Sequence, residues 1–580
     1  MTRVNLRFQS ERSENAYPRT LTYGARLVVD LDWFRSKQLH RSALSVLCLA
    51  VVLVTFLLSF AAALRLKMHS EVPIWVVGAV PPALTRVAYE HDRNYVSLTF
   101  VHDSFFAQLQ SYDAKHVNSV IANILAKYPV AADKSDRILP GDDKGIVVMT
   151  ELAFRAFGYR VEGVLYLYYV ILGLSAALFA YCYRTNPFAL LTLAAFLLIH
   201  RMILPMIKYD PQLGAVTALR CMPVLAMIAC MHCLLYLFES RVDVKRMATT
   251  VLQVAIMVFV VHVRSTTMWE LMLVAACSLV VVLVGSGPVA SQRSRARGVL
   301  ARWPAAVPLA AVAVMVMVLS AHRTFGFPPE YHRDGETVTR PFWHNIYSGF
   351  AFNPVLAKRY DLKVDDFTVL LATRQFLLES GREDDWEAAG GNTPGYTGMR
   401  WKKYDEAVKD MLFAHCSEHF GECLLTFVYF KPMSMFKNLL WVPGLVKMPP
   451  DMDIFVSRFP EIGTVVKQQF TETTRQLDAH KERGRFWFRR MLLMVAGFLV
   501  LAAIWRRKDE FLPVLGATGL LAAGSTAPSI IGYAAPHTIA EAALAFPLFL
   551  VLLPAYVLVK LYPPRDAEKT VASTDHSIAI

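Results

Sequence analysis

An all-α polytopic membrane protein with about ten transmembrane helices and two exterior insertions is the fold class predicted for this chain, and three observations carry that expectation. Of 580 residues, 55% are apolar and only 18% charged, with a mean hydropathy of +0.37, a balance that leaves a soluble globule short of polar surface. Apolar runs with the length a helix needs to cross roughly 30 Å of hydrocarbon recur along the sequence. The net charge of +13 gathers in short clusters flanking those runs, which fits orientation by the positive-inside rule and argues against a nucleic-acid partner.

Taken in order, the expected spans are 43–66, 163–183, 187–206, 217–238, 247–263, 269–287, 303–321, 488–505, 511–532 and 539–561, the fifth, eighth and ninth being short or interrupted. They divide the chain into a leader (1–42), a module of seven spans (43–321) containing a first exterior loop (67–162), an exterior domain (322–487), three C-terminal spans (488–561) and a tail (562–580). The leader holds eight basic residues against four acids, and the first apolar run begins too late for a cleaved signal peptide, so a retained signal anchor is expected. With the leader inside, "ESRVDVKR" (239–246), "SQRSRARGVLAR" (291–302) and "WRRKDE" (505–510) also fall inside. The localisation this implies is a plasma membrane, as in a bacterial inner membrane, with both termini cytoplasmic. One cluster dissents: "KERGRFWFRR" (481–490) lands outside, either as an interfacial helix against phosphate head groups or as a sign of a miscounted crossing.

Within the insertions the periodicity is helical. "YVSLTFVHDSFFAQLQSYDAKHVNSVIANILAKYP" mixes apolar and polar residues at the spacing of surface helices. "VDDFTVLLATRQFLLESG" and "KKYDEAVKDMLFAHCSEHF" predict two more, joined by the loop "GREDDWEAAGGNTPGYTGMR".

Ionisable groups gather just outside the spans. Glu90, Asp92 and Asp103 follow the first span, and a carboxylate there can deprotonate an acceptor hydroxyl. Two such carboxylates can also hold a divalent cation against a phosphate leaving group, so a divalent cation is a possible cofactor. Arg93, Arg201, Lys208 and Arg264 supply positive charge for that leaving group. Glu270 and Glu541 are the clearest acids at or in the spans. An exposed loop entering a surface helix is also ordinarily rich in charge, and membrane-adjacent position singles out Asp92.

"RPFWHNIYSGFAFNP" places Trp343, His344, Asn345 and Tyr347 together, as a surface for stacking sugars or head groups or as an aromatic belt anchor. In "AHCSEHFGEC", Cys416 and Cys423 sit two turns apart on a continuous helix, too far for a disulfide unless the helix breaks at Gly421. Zinc is the weaker alternative there, and no metal site is expected. The other cysteines, most of them in or near spans, read as small buried apolar side chains. The chain has no Walker loop, HExxH or GxSxG, which argues against soluble nucleotide chemistry.

"YEHDRNY", through Glu90, Asp92 and Tyr95, and "DDKGIVVMTELAFRAFG" (142–158) give residues 40–240 a resemblance to the membrane-embedded glycosyltransferases of the GT-C class. The resemblance implies a polyprenyl-phosphate-linked sugar donor, an exterior cell-envelope glycan or lipid as acceptor, and a first-loop acid as general base. Asp92 is the best match for that acid and Glu90 the second. A transporter or flippase of lipid-linked glycans and a non-enzymatic envelope assembly protein are the alternative expectations.

Overall fold

The computed structural model describes residues 22–66, 74–92, 98–111, 113–127, 144–208, 222–238, 243–284, 303–325, 342–363, 366–392, 400–441, 480–505, 507–532 and 540–561, and its regular elements there are all helical. The first described element is α1 (Thr22–Arg65). A first insertion follows with α2 (Ile74–Asp92), α3 (Leu98–Gln108), α4 (Ala114–Lys127) and α5 (Lys144–Phe157). The main bundle continues through α6 (Glu162–Cys182), α7 (Pro187–Lys208), α8 (Pro223–Phe238), α9 (Val244–Val263), α10 (Met268–Val284) and α11 (Ala306–Phe325). The second insertion contains α12 (Phe342–Ser348), α13 (Pro354–Arg359), α14 (Asp366–Glu379), α15 (Glu383–Ala388), α16 (Trp401–Glu418), α17 (Phe420–Leu425) and α18 (Lys431–Trp441). It returns to the bundle through α19 (His480–Trp505), α20 (Lys508–Gly524), α21 (Ala527–Ile531), α22 (Ala540–Leu550) and α23 (Leu553–Leu561).

Eight helical segments among the described residues are long and apolar enough to cross a membrane, which makes this an all-α polytopic architecture. Of the expected span 217–238, residues 217–221 lie outside the described residues and the rest contains the apolar helix Pro223–Phe238; the expected span 303–321 contains the apolar helix Ala306–His322 after a 3-10 turn. The fifth span, expected to be short, is a full 20 residues, because Asp243 caps α9 by accepting the Arg246 N–H at 2.8 Å. The dissenting "KERGRFWFRR" does not stand as a separate helix: it forms the opening turns of α19, which runs straight on into a candidate span.

Helices α7 and α8 form the inside of the bundle, with 83% of the most apolar window of α7 buried against 28% for α1, whose outer face is apolar and exposed. Several polar side chains inside the bundle are paired with one another. His200 of α7 lies 2.8 Å from both Ser59 Oγ and Tyr168 Oη, joining α1, α6 and α7. Gln253 and Ser175 exchange two bonds at 2.8 and 2.9 Å between α9 and α6. Each such pair replaces water that hydrocarbon cannot supply. Cys230 and Cys233, at C-x-x-C spacing on α8, are buried and unbridged.

The second insertion has its own core around Tyr347, Phe350, Trp386, Tyr404 and Met411. Two expectations are corrected there. The polar stretch 381–400 is not loop throughout, since Glu383–Ala388 forms α15 with its Trp386 buried. Cys416 and Cys423 form a disulfide with Cα atoms 5.5 Å apart, and the break that permits it falls at His419 (φ −126°, ψ 52°), not at Gly421. His415 is held between Tyr347, whose Oη is 2.9 Å from its Nδ1, and Tyr360, stacked on its ring at 3.8 Å.

Candidate functional site

The insertion-bearing end of the bundle collects the charged groups. In the first insertion α2 packs on α5, and α5 on α9. Buried Arg86 of α2 pairs with buried Glu151 of α5 (Nε to Oε2, 2.9 Å), and Arg155 adds a second guanidinium to Glu151 at 2.8 Å. Gly145 permits the docking: a Cβ there would overlap the backbone of His262 in the last turn of α9. The His262 ring lies 5.5 Å from that of His322, near the end of α11, and His322 is within electrostatic reach of Arg86 and Glu151.

Two residues beyond His262 the chain leaves α9 at Arg264, which is buried and extended (φ −144°, ψ 105°), and a 3-10 turn, Ser265–Thr267, leads into α10. Trp269 donates its indole N–H to Oε2 of Glu541, at the start of α22, at 2.9 Å. Glu270 is fully buried, neither carboxyl oxygen has a hydrogen-bond partner, and it interacts electrostatically with Glu541. Arg264 in turn interacts with Glu541. Thr267 and Glu270 stand at the spacing of a capping box, yet the Thr267 hydroxyl and the Glu270 carboxyl both lack a partner, so the acid is not used as a cap. A charge removed from water at such a position costs several kcal/mol, so the pair is tolerable only with that charge offset, by Arg264 and by a proton or cation.

The residues singled out in the sequence are distributed unevenly. Glu90 and Asp92 occupy the last turn of α2, and their side chains are outside the described residues, as is all of Arg93. Lys208 ends α7, its side chain also outside the described residues. Arg201, on the same helix, lines a crevice beside α1. Arg264 joins the acidic pair. Trp343, His344, Asn345 and Tyr347 form α12, but not one stacking surface: His344 is buried with Nδ1 2.7 Å from Tyr404 Oη, and Tyr347 is fully buried against His415. Only Trp343 and Asn345 of the four are partly exposed, because His344 and Tyr347, three residues apart, share the helix face turned to the domain core.

The spacing pattern gave no warning of Lys431. It is fully buried and donates to the carbonyls of Ile346 (3.1 Å) and Ile531 (3.0 Å), with Phe427 4.1 Å below its ammonium. It therefore ties α12 and α18 of the second insertion to α21 of the bundle. Among the described residues no cluster of three or more His, Cys, Asp or Glu has metal-binding geometry. Comparison of the chain with family models, curated proteins and solved structures returns no match.

Proposed function

We propose that the protein is an integral membrane glycosyltransferase that moves a sugar from a polyprenyl-phosphate carrier to an envelope glycan or lipid. The observation that carries this reading is the clamp formed by Arg86 and Glu151, which fastens α2 to α5 over the end of α9 that leads to Arg264. Asp92 lies six residues past Arg86 on α2, about 9 Å along the helix axis. In the reaction the acceptor hydroxyl oxygen attacks the anomeric carbon, its proton passes to the Asp92 carboxylate, and the anomeric carbon–oxygen bond to phosphate breaks. Configuration at that carbon inverts, and polyprenyl phosphate departs with its charge met by Arg264. The second insertion, hinged on Lys431, would select the acceptor.

A transporter or flippase of lipid-linked glycans is the second reading, and Glu270 favours it. A fully buried carboxyl with no hydrogen-bond partner, beside a second acid and an arginine at the ends of spans, is the arrangement expected of a coupled binding site. Membrane vesicles with and without the protein, given radiolabelled polyprenyl-phosphate sugar, separate the two. Transferase activity moves label from the lipid fraction into a new covalent product. Label that crosses the membrane still attached to its lipid sinks the transferase reading.

A further inference from the structure

The end of α1, the C-terminal half of α7 and the opening turns of α19 enclose a crevice of about 250 Å³. Leu58, Ala61 and Ala62 of α1, Leu66 just beyond it, Met202 of α7 and Phe486 of α19 form an apolar wall, and Arg65 and Arg201 complete the lining. One turn further along α19, Arg490 lies over the Phe486 ring, its guanidinium carbon 4.0 Å from the centroid, and within electrostatic reach of Arg201. None of the three arginines has a carboxylate at ion-pair distance among the described residues. Gathered guanidinium groups with no acid between them repel one another, and an anion seated among them reverses the sign.

We propose that this crevice holds the head of an anionic glycerophospholipid drawn from the surrounding bilayer, its phosphate diester between Arg65 and Arg201 and its first methylenes against the apolar wall. The source is the bilayer because α1 is open to it: Leu53, Leu57 and Leu58 are exposed on the helix that forms one wall. The volume agrees, being smaller than the roughly 300 Å³ at which pockets begin to enclose a whole drug-sized ligand, so the acyl chains remain along α1 in the membrane. The site stands apart from the acidic pair and does not depend on the transferase reading.

The test is native mass spectrometry of the full-length protein released from mixed micelles containing phosphatidylglycerol, phosphatidylcholine and polyprenyl phosphate. Wild type should retain one phosphatidylglycerol at least tenfold in preference to phosphatidylcholine. The Arg65→Gln/Arg201→Gln variant should lose that preference. Ala62→Trp, which fills the crevice and keeps both arginines, should lose the bound lipid. Equal retention of phosphatidylcholine, preferential retention of polyprenyl phosphate, or undiminished phosphatidylglycerol on either folded variant overturns the proposal. Should the variants fail to elute as single species, the competition on wild type alone decides the matter.

Discussion

The indole N–H of Trp269 meets Oε2 of Glu541 at 2.9 Å across 272 residues of sequence, tying the first turn of α10 to the first turn of α22. Trp269→Phe keeps most of the ring but removes the donor, leaving a buried carboxyl oxygen without a partner. A loss of about 1–3 kcal/mol is expected, read as a lower thermal midpoint in detergent. Glu541→Gln retains an oxygen for the indole to bond and should lose less. Equal midpoints for wild type and Trp269→Phe would show that the bond holds nothing.

The clamp between Arg86 and Glu151 predicts a sharper asymmetry. Their side chains are only 10% and 7% exposed, so removing one partner strands the other charge. Arg86→Met or Glu151→Leu should each cost about 3–5 kcal/mol, while the double variant recovers most of it. Arg155, about half exposed, should matter by less than about 1 kcal/mol when replaced by Ala. Limited proteolysis of the first insertion, alongside thermal midpoints, measures all four.

Lys431 makes the union of insertion and bundle pH-dependent. Burial lowers its ammonium from the ordinary value of 10.5 to about 7. Between those values the unfolded chain binds more proton than the folded one, so stability rises with pH across that window. The contribution is complete above 10.5 and is lost as pH falls through 7. Tyr347 and Tyr360 are both raised by burial, which keeps their phenols neutral through the lower part of the window. On the acid side burial lowers His415 to about 4, so its contribution, present above 6.5, is lost as pH falls through 4. Lys431→Met should abolish the rise between pH 7 and 9 in the thermal midpoint. A persistent slope in that variant would assign the rise to another group.

Local pattern carried the helices and failed on what brings them together. α7 and α16 were legible because apolar spacing and length act within a few turns. α2 was not, since Pro81 and Pro82 sit in its middle and each removes an amide donor, yet packing on α5 sustains the helix. The disulfide depended on a break at His419, a residue with no intrinsic tendency to end a helix. Glu270 and Glu541 stood out individually as acids in apolar surroundings, but their approach is set by helix order in the bundle. Lys431 was invisible for the same reason: Gly349, where a Cβ would overlap its side chain, and the Ile531 carbonyl reach it from distant parts of the chain.

Asp92 and Glu270 distinguish the two readings of function when substituted separately. Asp92→Asn keeps shape and hydrogen-bonding capacity but cannot take up the acceptor proton, so transfer should fall about 100-fold to 10,000-fold with insertion in the membrane unchanged. Glu270 touches no reacting atom in the transferase scheme, and Glu270→Met replaces an unpartnered buried acid with an apolar chain of similar volume. That exchange should leave stability equal or raise it by about 1–4 kcal/mol, with transfer retained. Under the transport reading the outcomes trade places: Glu270→Met stops movement of the lipid-linked glycan and Asp92→Asn is tolerated. Transfer and translocation measured on the same vesicles for both variants therefore assign the chemistry to one end of α2 or to the acids between α10 and α22.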